Sequence, residues 1–157
     1  LEPEVMALVP EGQKYDFSKN LFPRLLEMGW PMYAQAIDGV WFDVGSPREL
    51  IRAQNVLIER RDELPFPLPE GARIEHGSFI HPSSRVDSSA TIEQSVVAQD
   101  AVVGANVLLK HCVLMNGARV KEGASLEHCI LSPGAIVSGN VSAKDTILGD
   151  QERLENA

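Results

Sequence analysis

From Ile80 to Leu148 the chain repeats itself every 17 residues, four times over. The ends of successive units align as Glu93-Gln94-Ser95-Val96-Val97, Lys110-His111-Cys112-Val113-Leu114, Glu127-His128-Cys129-Ile130-Leu131 and Lys144-Asp145-Thr146-Ile147-Leu148, and Gly77-Ser78-Phe79-Ile80 ends an earlier, weaker copy. Aliphatic anchors fall at intervals of six, six and five: Ile80, Val86, Ile92 and Val97, then Val103, Leu109 and Leu114, then Val120, Leu126 and Leu131. A fixed period of this length marks a chain that stacks identical units, none of which buries its apolar face alone. The spacing predicts one coil per 17 residues, built from three short strands.

The columns of the alignment carry the detail. Val86, Val103, Val120 and Val137 form an inward column of valine. Val96, Val113, Ile130 and Ile147 are all β-branched, which suits strands. Ser84, Ala101, Ala118 and Ala135 are small, as a tight interior corner requires. Asp100, Gly117 and Gly134 share one corner and Asn106, Gly123 and Asn140 the next. These residue types tolerate positive φ, so one left-handed residue per corner is expected. A third corner carries Glu93, Lys110, Glu127 and Lys144, an alternating charge ladder that penalises a slip of one coil. Cys112 and Cys129 share one column with Ser95 and Thr146, so the position takes a small residue. Side chains on neighbouring parallel strands point the same way, and the two thiols are expected to be free, in keeping with a cytoplasmic setting.

Residues 1–62 lie outside the repeat. The sequence predicts a short helix from Pro3 to about Leu8 and a helix from Asp16 to Met28, interrupted at Pro23 and stopped by Gly29. It then predicts a hairpin, Met32–Ile37 and Val40–Val44 about Asp38-Gly39. Ser46-Pro47-Arg48-Glu49 is a capping box opening a helix to about Arg61, with Leu50, Ala53, Asn55, Leu57 and Ile58 as an imperfect apolar face. Residues 63–73 form a proline-rich linker, 74–149 the repeat, and 150–157 a polar tail, either disordered or a short helix closing the coil.

The pattern of Val103-Gly104-Ala105-Asn106-Val107-Leu108 and Val120-Lys121-Glu122-Gly123-Ala124-Ser125 resembles the hexapeptide-repeat family of left-handed parallel β-helices. The resemblance covers about residues 74–148, and the handedness is implied by it alone. The fold class expected is mainly β, a left-handed parallel β-helix preceded by an α/β remnant. Two motifs in the first third, Tyr15-Asp16-Phe17-Ser18-Lys19-Asn20-Leu21-Phe22-Pro23 and Val40-Trp41-Phe42-Asp43-Val44-Gly45-Ser46-Pro47, resemble the last third of a nucleotidyltransferase domain. They are most similar to mannose-1-phosphate guanylyltransferases and related nucleotide-sugar pyrophosphorylases.

That resemblance implies a C-terminal portion of a sugar-1-phosphate nucleotidyltransferase. Its substrates are a nucleoside triphosphate and a sugar 1-phosphate, its cofactor is Mg²⁺, and its β-helix serves homo-oligomer contacts or regulation. The aspartate matching Asp43 would help hold the metal; the bland alternative is a residue capping the turn into the next helix. Asp16 and Lys19 are weak candidates for a sugar pocket, set against a solvated loop. The glycine-rich nucleotide loop with its arginine, the first metal aspartate and the Glu-Lys pair of that family have no counterpart in these residues. The chain alone is therefore expected to be inactive.

Two other classes compete. A hexapeptide-repeat acyltransferase would need a histidine base, and His76, His81, His111 and His128 are present. However, His111 and His128 align with Gln94 and Asp145, as a solvated corner would, and the unbroken register leaves no room for a loop excursion. A non-catalytic oligomerisation module is the third class. A net charge of −8 with scattered Lys and Arg argues against a nucleic-acid surface. No apolar run approaches the ~20 residues that span a bilayer.

Overall fold

The computed structural model of the chain describes residues 1–156. Two compact units emerge, Leu1–Val40 and Trp41 onward.

In the first unit, α1 (Pro3–Met6) opens with proline in its first turn, where a missing N–H costs nothing. It ends two residues sooner than the spacing predicts. Asp16 is the cap of the next helical run rather than part of it: its carboxylate accepts the Lys19 N–H at 2.8 Å. A π-helical turn, Phe17–Leu21, leads directly into α2 (Phe22–Glu27). Pro23 does not interrupt this run, because it falls in the first turn of α2. Gly29 ends it with φ of +67°. Val5, Leu21 and Leu25 are buried together beneath Leu8, Tyr15, Phe22 and Trp30.

The expected hairpin about Asp38-Gly39 does not form. Residues 31–45 contain no strand, and Tyr33, Ile37 and Trp41 are strongly exposed. A two-stranded ribbon is marginal without a surface to bury one face, and this segment buries neither.

In the second unit, α3 (Pro47–Glu59) starts as the capping motif predicts, the Ser46 hydroxyl accepting the Glu49 N–H at 3.3 Å. Its buried face is Ile51, Ala53 and Ile58. Leu57, assigned to that face from the sequence, is exposed, and Ile51 takes the central place. A single 3₁₀ turn, Arg61–Glu63, follows. The proline-rich segment ends in a strand, Arg73–Glu75, paired antiparallel with Ser78–Ile80 through a His76-Gly77 turn with both φ positive.

The coils then stack as a parallel β-helix of three sheets, with six, four and five strands. Every pairing between coils joins residues 17 apart: Val96, Val113, Ile130 and Ile147 in the first sheet; Leu108, Ser125 and Ser142 in the second; Arg85, Val102, Arg119, Ile136 and Arg153 in the third. Main-chain hydrogen bonds run between coils, such as Val102 N–H to Ala118 O and Val113 N–H to Cys129 O, both 2.9 Å. The anchors predicted from spacing, Val97, Val103, Leu109, Leu114, Val120, Leu126 and Leu131, line one continuous core with Ala101, Ala118 and Ala135.

Corner residues behave as their columns predict: Asp100, Asn106, Gly117, Gly123, Gly134 and Asn140 all have positive φ. The third corner differs. Its left-handed residues are His76, Gln94, His111, His128 and Asp145, one position past the charge ladder. The tail is not wholly outside the repeat. Arg153–Leu154 pairs with Ile136–Val137 as a further rung, because Leu154 occupies the next place in the valine column and Gln151 the left-handed corner.

The column Ser78, Ser95, Cys112, Cys129 and Thr146 is small and polar for a reason visible in its bonds. Ser95 N–H donates to Ser78 Oγ at 3.1 Å and Cys112 N–H to Ser95 Oγ at 2.9 Å, so each hydroxyl serves the next coil. Both cysteines are buried and unbridged. The neighbouring Cys129 sulfur and burial push the Cys112 thiol far above its usual range.

Candidate functional site

The residues singled out from the sequence do not gather in one place. Asp16 is occupied in capping. Besides the Lys19 amide, it accepts the Ser18 hydroxyl at 2.8 Å, and Asn20 Oδ1 accepts the Asp16 N–H at 2.9 Å. The Lys19 amide and the Ser18 hydroxyl hold its carboxyl below the usual carboxylate range. Lys19 lies in the same π-helical turn, with no ion pair among the described residues.

Asp43 stands in the extended, exposed approach to α3 and not at a strand end. Its carbonyl accepts the Gly45 N–H at 2.9 Å, turning the chain toward the Ser46 cap. Among the described residues, no group of three or more His, Cys, Asp or Glu is placed to hold a metal ion.

The histidines are corner residues. His111 and His128 stack ring on ring at 4.9 Å, both with φ of +51°. His128 Nδ1 lies 3.7 Å from Glu127 and 3.6 Å from Asp145. His81 Nδ1 meets Ser83 Oγ at 2.9 Å and also the Ser83 N–H, within its own turn. The hydroxyl paired with His81 also accepts the Asp100 N–H at 3.0 Å, a contact that ties one turn to the next coil.

What the fold does assemble is a cleft of about 780 Å³ between the first turns of α3 and the corner of the last coils. Arg48, Arg52 and Asn55 face it from the helix, and His128, Lys144 and Asp145 from the coils, over a floor of Ile51, Val56 and Ile147. The cause is local. Ile51 covers Val113 and Ile130, but the helix does not reach the next residue of that column, and Ile147 is left 52% exposed. Arg52 is shared with Glu49 at 3.5 Å and lies 5.7 Å over the Phe42 ring, and Lys144 is bound to Glu127 at 2.8 Å. Arg48 has no ion pair among the described residues. Cations and a single acid around an apolar floor suit a ligand with an anionic end and an apolar body. Sequence reading used Arg48 only as part of a cap. Its i,i+4 spacing to Arg52 was the available signal that both face one side of the helix.

The comparisons with known proteins match the repeat and extend beyond it. The sequence model of the GMPPB C-terminal domain family matches residues 74–157. A protein of Synechocystis sp. named UTP–glucose-1-phosphate uridylyltransferase is 29% identical over 161 residues, covering 76% of this chain and 42% of that protein. A protein of Oryza sativa subsp. japonica named probable mannose-1-phosphate guanylyltransferase 1 is 29% identical over 126 residues, covering 79% of this chain and 34% of that protein. The chain thus spans less than half the length of either relative. Among solved structures, the acetyltransferase domain of PglB from Neisseria gonorrhoeae FA1090 is similar at a TM-score of 0.32 and 19% identity, over 73% of this chain and 71% of that one, too distant to carry an argument. By the match over its whole repeat, the chain belongs to the GMPPB C-terminal domain family.

Proposed function

We propose that this chain is the C-terminal part of a sugar-1-phosphate nucleotidyltransferase. Such an enzyme joins a nucleoside triphosphate to a sugar 1-phosphate. A phosphate oxygen of the sugar phosphate attacks the α-phosphorus, the bond to the β-phosphate oxygen breaks, and pyrophosphate leaves with the nucleotide sugar as product. The observation that carries this reading is the continuity of the match. The family covers the coils, and relatives named as a uridylyltransferase and a guanylyltransferase align over three quarters or more of the chain.

Within that activity the coils provide a rigid body and the segment leading into α3 provides Asp43. Mg²⁺ takes one or two carboxylates together with substrate phosphates and neutralises charge that builds up during transfer. One exposed carboxylate fits as a single donor and does not make a metal site by itself, so these residues by themselves are proposed to carry out no transfer. The cleft at α3 is the place where this chain itself meets a phosphate-bearing molecule, through Arg48, Arg52 and Lys144. A cytoplasmic setting suits its two buried free thiols.

The test is pyrophosphate release. The protein that carries this chain, given Mg²⁺, GTP or UTP, and mannose or glucose 1-phosphate, is expected to release pyrophosphate in step with nucleotide sugar. The 157-residue chain under the same conditions is expected to match the blank. Failure of the first would overturn the activity, and turnover in the second would overturn the division of labour.

A further inference from the structure

The cleft beside α3 has a floor that a bare phosphate does not explain. It is aliphatic, made by Ile51, Val56 and Ile147, and Ile147 is half exposed where Val113 and Ile130 of the same column are buried. The charges around it are unevenly free. From the helix, Arg48 forms no ion pair among the described residues, and Arg52, one turn on, is shared with Glu49 at 3.5 Å. From the coils, Lys144 is engaged with Glu127 at 2.8 Å, and Asp145 lies 3.6 Å from His128.

These charges limit what the cleft can hold. A free guanidinium and a shared one, set against the Asp145 carboxylate, suit a single phosphate group and not a triphosphate chain. Among the described residues that line the cleft there is no Phe, Tyr or Trp, and the His128 ring is already stacked on His111 at 4.9 Å. A nucleobase therefore finds no flat platform, whereas an aliphatic chain finds a floor of its own kind. We propose that the cleft binds a phosphate monoester of an aliphatic alcohol, its phosphate on Arg48 and Arg52 and its chain laid along Ile51 and Ile147. This rests on the reading of the cleft as a phosphate site and names the class of molecule it takes. About 780 Å³ is room for one such molecule. A membrane lipid headgroup offers the same chemistry, but a chain of net charge −8 is repelled by an anionic bilayer. The ligand is a free amphiphile, bound singly.

Calorimetric titration of the 157-residue chain with methyl, butyl and hexyl phosphate tests this. A fully buried methylene is worth about fourfold in affinity and one covered on a single side roughly twofold, so hexyl phosphate should bind roughly thirtyfold tighter than methyl phosphate. Arg48→Ala should weaken all three by a similar, severalfold factor. Ile147→Thr, which keeps the β-branch, should leave methyl phosphate unchanged and flatten the rise with chain length. Val56→Thr replaces it if Ile147→Thr alters the far-UV circular dichroism. GTP should bind no tighter than methyl phosphate, and vesicles of phosphatidic acid in phosphatidylcholine should leave the chain in the supernatant. No binding of any phosphate, or binding that Arg48→Ala leaves unchanged, would overturn the phosphate reading and the proposal with it. Binding indifferent to chain length, a rise that neither floor variant flattens, or tighter binding of GTP would overturn the proposal alone. Sedimentation with the vesicles that Arg48→Ala abolishes would overturn it in favour of a lipid headgroup.

Discussion

Lys144 Nζ stands 2.8 Å from Glu127 Oε1, directly across one coil boundary, and His128 flanks the same carboxylate at 3.7 Å. The ammonium holds the Glu127 carboxyl below its usual range, and the carboxylate in turn raises Lys144. The folded state thus binds the Glu127 proton less readily than the unfolded chain. The stabilisation is present above the ordinary carboxylate range and is lost as pH falls through the depressed one. For Lys144 the sense is opposite: stabilisation is present below its ordinary range and is lost as pH rises through the raised one. Thermal melts across pH should show Glu127→Gln lowering the midpoint slightly near neutrality and converging with the unaltered chain in acid. A difference that grows on acidification would contradict this.

Leu126 and Ile147 separate the interior from the surface of the coil. Leu126 is 1% exposed in the continuous core, and Ile147 is half exposed at the cleft. Leu126→Ala is expected to cost about 2–5 kcal/mol, and Ile147→Ala under about 1 kcal/mol. Denaturant unfolding measures both.

Gly104 lies close against the backbone of the next coil. A methyl group placed there would lie 2.8 Å from the Glu122 backbone nitrogen and 3.2 Å from the Val120 oxygen, atoms held by the coil-to-coil bonding. Gly104→Ala should therefore destabilise by roughly 1–3 kcal/mol, although its φ is not in the left-handed region. Gly117→Asn, at φ of +70° with nothing closer than 4.0 Å, should be nearly neutral, since Asn106 and Asn140 hold that conformation elsewhere in the coil.

Arg48 carries the prediction for the cleft. Equilibrium dialysis with inorganic phosphate should show binding that Arg48→Ala weakens severalfold and that Arg24→Ala, in the first unit, leaves unchanged. Equal binding by all three proteins would remove the cleft as an anion site.

The solenoid was legible because its information is periodic. Val86, Val103, Val120 and Val137 report the interior four times over, and Gly117, Asn106 and their column mates report the corners. The third corner was misplaced by one residue because histidine and glutamine do not advertise a left-handed backbone as glycine and asparagine do. The hairpin at Asp38-Gly39 read well locally, yet Tyr33, Ile37 and Trp41 have nothing to bury against, and local turn chemistry does not supply that surface. Among the site residues, Asp16 was named through the family resemblance as a weak sugar-pocket candidate, and its capping of the π-helical turn rests on a local bond to the Lys19 amide. The cleft depends on where α3 stops covering the first sheet, between Ile130 and Ile147. That is a packing relation between residues far apart in sequence, and no single motif encodes it.

The most direct measurement is a ³¹P NMR spectrum of the protein that carries this chain, with Mg²⁺, a nucleoside triphosphate, a sugar 1-phosphate and acetyl-CoA all present. Signals of pyrophosphate and a nucleotide sugar should grow as the triphosphate disappears, with acetyl-CoA intact. An unchanged triphosphate beside consumption of acetyl-CoA would contradict nucleotidyl transfer and favour acyl transfer.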